Sequence, residues 1–98
     1  MIYVGTDLKF AIDIKCEGFD MKEDNFRVEL VNGDKKMTIE KKDIVYDDEE
    51  DTWYLCFSTK ELGAGNYVMV VYAEVPDIDF GGTRTEVQKC KFCRVENL

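Results

Sequence analysis

The sequence predicts an all-β chain folded as an antiparallel β-sandwich of six or seven strands. Apolar residues recur with a period of two almost throughout, and Gly, Asn and Asp punctuate that pattern at short intervals. Almost nothing in the chain shows helical spacing.

Taken in order, Leu8, Phe10, Ile12, Ile14 and Cys16 alternate with Lys9, Asp13 and Lys15, which predicts a first strand with one buried face. Glu17-Gly18-Phe19-Asp20 breaks the alternation, and residues 21–25 read as a loop into a second strand over 26–31 that buries Phe26, Val28 and Leu30. Asn32-Gly33 follows, and because both residues tolerate positive φ this dipeptide signals a tight hairpin. The return strand, 36–40, turns Met37 and Ile39 inward. Residues 41–46 fit either a short strand or an irregular crossing anchored by Ile44 and Tyr46.

The acidic run Asp47-Asp48-Glu49-Glu50-Asp51 then turns the chain into Trp53-Leu55-Phe57, another inward row. Residues 58–65 form a corner, with Thr59 placed to cap a helical turn and Gly63 and Gly65 closing it. The segment 66–75 reads as the longest strand. It is apolar on both faces, with Tyr67, Met69, Val71, Ala73 and Val75 on one and Val68, Val70 and Tyr72 on the other, so a central position is expected. Residues 76–82 read as a long hairpin loop, and 84–95 as the last strand, with Val87, Phe92 and Val95 apolar and a bulge where their phase changes.

Strand number and turn spacing point to an immunoglobulin-like sandwich. The corner Leu62-Gly63-Ala64-Gly65-Asn66-Tyr67 resembles the leucine, glycine, tyrosine corner of immunoglobulin-like and fibronectin-like modules. A wider resemblance covers most of the chain. The order 8–14, Glu17-Gly18-Phe19, Trp53-Tyr54-Leu55-Cys56-Phe57, the corner, Val75-Pro76-Asp77-Ile78-Asp79-Phe80 and Arg84-Thr85-Glu86-Val87 is similar to small proteins encoded in structural-gene regions of gut-bacterial phages and prophages. That resemblance implies a virion component, such as a capsid decoration, head-fibre or baseplate accessory domain, and it brings no catalytic residue with it.

A chain of 98 residues with 45% hydrophobic content suits a single domain, with residues 1–6 as an extended N-terminal arm. Such a chain buries roughly 60 to 65% of its unfolded surface and folds without staples. The net charge of -8 opposes counterion release, so nucleic acid is not an expected partner, nor is an anionic membrane. Residues 1–7 lack the basic and apolar regions of a secretory signal, and no stretch reaches the ~20 apolar residues of a membrane span. Synthesis in a reducing bacterial cytoplasm is the expectation, followed by incorporation into a virion, with the four cysteines as thiols.

Several constellations invite chemistry. Cys90-Lys91-Phe92-Cys93 has zinc-knuckle or redox spacing, but three steps along a regular strand span roughly 10 Å and point the two thiols to opposite faces. With no histidine, a zinc site would also need Cys16 and Cys56. Cys16 and Cys90 become neighbours if the first and last strands pair, which leaves a disulfide formed after release from the cell as the alternative to free thiols. The acidic run supplies hard oxygen ligands but lacks the spacing and central glycine of a calcium loop, so a solvated turn that blunts edge pairing is expected. Asp77 and Asp79 suit turn formation. Nucleophilic catalysis would normally want a histidine base, and a domain of this size leaves little room for a glycosidase cleft. The expected function is therefore non-enzymatic, with no metal or cofactor and with protein partners in an oligomeric assembly or a virion. The candidate interface residues are Tyr54, Val68, Val70, Tyr72 and Phe80, read either as a partner-binding surface or as side chains that cover one another across strands. An alternative is a carbohydrate-binding module that uses the exposed aromatics.

Overall fold

Alternation of β-branched and aromatic residues with polar ones resolves into eight strands in the computed structural model, which describes residues 1–98. They are β1 (Ile2–Tyr3), β2 (Asp7–Ile12), β3 (Phe26–Asn32), β4 (Lys35–Glu40), β5 (Val45–Asp47), β6 (Thr52–Ser58), β7 (Gly65–Asp77) and β8 (Gly82–Glu96), with 3₁₀ turns at Lys41–Asp43 and Ile78–Phe80. The count exceeds the six or seven expected because β1 and β5 are only two and three residues long. One sheet has the order β1-β8-β7-β3-β4, the other β2-β6-β5. The chain is thus all-β and two-layered.

The inward rows meet between the layers. Phe26, Val28, Leu30, Tyr67, Val71 and Ala73 from the large sheet face Ile12, Leu55 and Phe57 from the small one. Aromatic rings bridge the layers: Phe92 lies 4.5 Å from Phe10 and 6.1 Å from Phe57, and Trp53 meets Phe26 edge-on at 5.5 Å. Burial of these rows, at about 25 cal/mol per Å² of apolar surface, is the main drive for the layering.

β7 is central, as its two apolar faces predict. The longest strand, however, is β8, because β7 and β8 pair much further than expected. Pro76 and Asp77 stay in the ladder opposite Thr83 and Gly82, leaving a four-residue turn in place of a long loop. Proline is tolerated there for a reason of parity. The Glu74 amide points away from β8 to the Asn25 carbonyl at 2.9 Å, so position 76 also points its nitrogen away from β8 and the β7/β8 ladder loses no donor. The expected bulge is present: Tyr67 pairs with Cys93 and Val68 with Lys91, so Phe92 is the extra residue.

β2 is shorter than its alternation. Pairing with β6 stops at Ile12 opposite Trp53, because β6 begins only after the acidic turn; residues 13–16 have no strand beside them, although Ile14 is buried.

The corner between β6 and β7 fixes how the layers join. Tyr67 is buried and donates its hydroxyl to the Gly63 carbonyl at 2.6 Å. Thr59 does not cap a helical turn with its side chain. Its hydroxyl accepts from the Gly5 amide at 2.9 Å and donates to the Thr6 carbonyl at 3.0 Å, tying the N-terminal segment to the corner. From the other side Asn32 donates to the carbonyls of Leu62 and Ala64 at 2.7 and 2.8 Å. Asn32 itself ends the β3 ladder opposite Lys35, so the hairpin loop is Gly33-Asp34 and only Gly33 takes positive φ, at 62°.

Gly65 must be glycine twice over. Its φ is 145°, and a Cβ there would lie 2.1 Å from Asn32 Oδ1. Gly33 has open space around it, so Gly33→Ala should cost about 1 kcal/mol from backbone strain alone. Gly65→Ala should cost more, at least about 2 kcal/mol, because it also displaces Asn32 from the corner. Urea unfolding midpoints of the two variants check this order, and equal losses would contradict it.

Candidate interaction surfaces

The acidic run forms a turn through its own first carboxylate. Asp47 Oδ1 accepts from the amides of Glu49 at 3.1 Å and Glu50 at 3.3 Å, and Asp51 completes the reversal at a left-handed φ of 49°. Asp51 then points back to the turn's base, where it accepts from the Tyr46 hydroxyl at 2.6 Å and pairs with Lys22 at 3.4 Å. The Tyr46 hydrogen bond, followed by Lys22, holds the Asp51 carboxyl below the usual carboxylate range; Tyr46 and Asp51 raise Lys22 in turn. No three Cys, Asp or Glu side chains in the chain are arranged to hold a metal ion.

This turn borders the largest concavity, about 720 Å³, whose walls include Ile12, Ile14, Phe19, Met21, Asp51 and Trp53. Lys41 ties down the loop that carries Lys22. The ammonium donates to the carbonyls of Lys22 at 2.9 Å and Asp24 at 2.7 Å, and it lies 5.5 Å from the rings of both Phe26 and Trp53. Trp53 is packed on its other side by Tyr46, with centroids 4.7 Å apart, and so serves the core as its phase with Leu55 and Phe57 predicts.

The bulge corrects the expectation for the cysteines. Register sets Cys90 opposite Met69 and Cys93 opposite Tyr67, two positions on one face of β7, so both thiols leave the same side of β8 instead of opposite sides. All four cysteines are free. Cys16 does not reach Cys90 through strand pairing, because β2 pairs with β6; Glu86 and Arg84 lie beside it instead. Burial raises the thiols of Cys16, where Glu86 adds to the effect, and of Cys93. Cys56 and Cys90 are exposed.

The five candidate interface residues fall in three places. Val68, Val70 and Tyr72 lie on the outer face of the large sheet, half-buried between Val31, Glu29 and Arg27 of β3 and Lys91, Lys89 and Val87 of β8. Tyr72 is well occupied: Arg27 covers its ring at 4.0 Å, and its hydroxyl donates to Glu29 at 2.9 Å, which raises the phenol above its usual range. Tyr54 lies on the outer face of the other sheet, under the Lys9 ammonium at 4.5 Å. Phe80 stands at the tip of the β7/β8 hairpin, 67% exposed. Beside it is Ile78, 91% exposed and absent from the sequence-based candidates. An apolar residue between two turn-forming aspartates was the available signal.

Hydrogen bonds and ion pairs brace that tip. β3 begins at Phe26 opposite Ala73, so beyond that point β7 and β8 continue as a two-stranded ribbon. Arg84 pairs across its base with Asp77 at 3.0 Å and along β8 with Glu86 at 3.1 Å, Thr85 donates to Glu74 at 2.9 Å, and the Asp79 amide donates to Asp77 at 3.0 Å in the turn. Compared with protein-family models, curated proteins and solved structures, the chain finds no match.

Two outcomes follow from these environments. The Asp51 carboxyl is depressed, so its contribution to stability is present at neutral pH and lost as pH falls through the depressed value; Lys22, raised, contributes below the usual lysine range and loses that contribution as pH rises through its own. Tyr46→Phe should therefore move the Asp51 midpoint up toward the ordinary carboxylate value in a side-chain NMR titration, and an unmoved midpoint would contradict the hydrogen bond. In native alkylation with iodoacetamide followed by peptide mass spectrometry, Cys56 and Cys90 should react first and Cys16 and Cys93 lag. Uniform labelling of all four would count against the burial described.

Proposed function

We propose that this chain is an immunoglobulin-like β-sandwich that acts as a non-enzymatic assembly module, binding protein partners as an accessory component of a phage virion. The observation that carries the binding role is the stiffened β7/β8 ribbon with Ile78 and Phe80 at its tip. Two large apolar side chains on a braced turn lose little conformational freedom when they enter a pocket, which is how a small contact becomes a binding hot spot.

The immunoglobulin-like reading is supported by the sheet order and by the corner. Chain crossings between the layers occur after β1, β2, β4 and β6, and a tyrosine at the start of β7 bonds back to a carbonyl four residues upstream. The virion role rests on the resemblance to phage structural-region proteins. A glycan platform would want Tyr54 and Tyr72 on one surface, whereas they lie on opposite outer faces, each ring beneath a cation.

A double variant, Ile78→Ser with Phe80→Ser, should keep the wild-type urea midpoint and no longer co-sediment with phage particles purified from the producing lysate. Absence of the wild-type chain from those particles would overturn the virion role. Undiminished co-sedimentation of the variant would overturn the role of the tip.

A further inference from the structure

We propose that two copies of this chain pair antiparallel along the free edge of β2, about a two-fold axis at Ala11, so that the two small sheets join into one six-stranded sheet. The inference deepens the assembly reading and names one partner, a second copy, at a surface distinct from the ribbon tip.

The edge is open in the single chain. β2 pairs only with β6. The Thr59 amide bonds the Thr6 carbonyl, which fixes the even-numbered residues 6, 8, 10 and 12 as those directed at β6. The backbone groups of Asp7, Lys9, Ala11 and Asp13 therefore face away, where no strand accepts them. A cleft of about 470 Å³ lies on that side, lined by Ile12, Ile14, Met69, Val71 and Phe92 together with Asp13 and polar residues of β8, so the gap between the layers is largely apolar and open there. Leu8 and Phe10 point inward yet are only half-buried, as side chains at an unfinished flank would be.

The occupant is written in the strand itself. Residues 7–15 read Asp-Leu-Lys-Phe-Ala-Ile-Asp-Ile-Lys, and reversal about Ala11 sets Lys9 opposite Asp13 of the second copy and Asp7 opposite Lys15, each twice by symmetry. The inward row matches too, with Phe10 against Ile12 and Leu8 against Ile14. Facing residues in this register are those whose backbone groups point outward: the three central pairs, Lys9–Asp13 twice and Ala11 with its own copy, can exchange roughly six hydrogen bonds, and the two Asp7–Lys15 pairs add to these where the Lys15 carbonyl exchanges the Gln88 side-chain amide that bonds it at 3.0 Å. Moving the axis one residue, to Phe10 or to Ile12, sets Asp7 against Asp13 or Lys9 against Lys15. Only the Ala11 register is free of like charges among these, and it puts the smallest side chain of the strand on the axis. It also gives the backbone of residues 13–15, which lie beyond the ladder with β6, a partner across the axis. The Asp13–Lys15 pair of the single chain, 3.5 Å apart and exposed, is little to exchange for this.

Charged residues often blunt an edge strand, but these attract their own copy instead of repelling it. The other full-length edge, β4, would set Lys35 against Lys41 about an axis at Thr38, and its Lys36 is already paired with Glu29 at 3.7 Å.

Sedimentation equilibrium of the purified chain over the micromolar range tests the proposal. A dimer is expected. Lys9→Glu and Asp13→Lys, each creating two like-charge pairs, should each weaken it by about ten- to thirtyfold, while the double variant Lys9→Glu with Asp13→Lys restores both pairs and the dimer. Hydrogen exchange supplies a second readout: the amides of Lys9, Ala11 and Asp13 should be protected at dimer concentrations and released on dilution. A wild-type chain that stays monomeric, single variants that dimerise unchanged, or a double variant that folds but does not recover would each overturn the proposal. Ile78→Ser with Phe80→Ser should leave the dimer intact, so failure here and failure of the ribbon tip are distinguishable.

Discussion

The arrangement of both layers depends on the knot of hydrogen bonds around Thr59 and Tyr67. Where a strand of one sheet becomes a strand of the other, the backbone must leave a ladder, and every carbonyl and amide freed inside the protein needs a new partner. Thr59 and Tyr67 supply those partners with two hydroxyls: one ties the corner to Gly5 and Thr6, the other closes it on Gly63. Asn32 adds the end of the β3/β4 hairpin to the same point. Two crossings of the chain, β1 to β2 and β6 to β7, and the β3/β4 hairpin are thus referred to one place, which sets where β7 starts and hence which of its residues face inward. No buried side-chain nitrogen or oxygen is left without a partner, which is the condition for such a polar knot to stabilise and not weaken the core.

The second constraint is the bulge at Phe92. Strict alternation from Val95 backward would turn Phe92 to the outer face and leave Phe10 without an aromatic neighbour and Phe57 with Tyr67 alone. One extra residue lets Phe92 and Cys93 both serve the inner side, so a single strand satisfies the corner at one end and the ribbon at the other. The same shift invalidates any regular-strand argument about the two thiols at positions 90 and 93.

How much the sequence disclosed varies with the kind of interaction. Rows such as Phe26-Val28-Leu30 and Leu55-Phe57 were legible because burial acts on every second residue, and the acidic turn was legible because five carboxylates cannot share a layer. Pro76 misled because a missing donor matters only when it points at a neighbouring strand, and that parity is set by tertiary pairing. Thr59 misled because its partners lie more than fifty residues away in sequence. Among the candidate surfaces, sequence placed Val68, Val70 and Tyr72 together correctly, since one strand carries them. It could not separate Tyr54 from them, because which sheet a strand joins is not encoded in its own alternation.

The end of β2 brings these threads together. Alternation there persists beyond the last paired residue: Ile14 still reaches the core and Cys16 packs against it, yet residues 14–16 gain no ladder, and Leu8 and Phe10 gain only partial burial. A hydrophobic pattern is normally matched to the surface it covers, because exposed apolar side chains invite association without stabilising the monomer. The excess of pattern over pairing on β2 coincides with the open flank of the sandwich and with a charge order that is its own complement. Those features share one economy if the strand's full length is meant for a second strand that the monomer does not contain. The corner knot supports this geometry from behind, since the hydrogen bonds of Thr59 to Gly5 and Thr6 hold the start of β2 in place and keep its outward backbone groups in line.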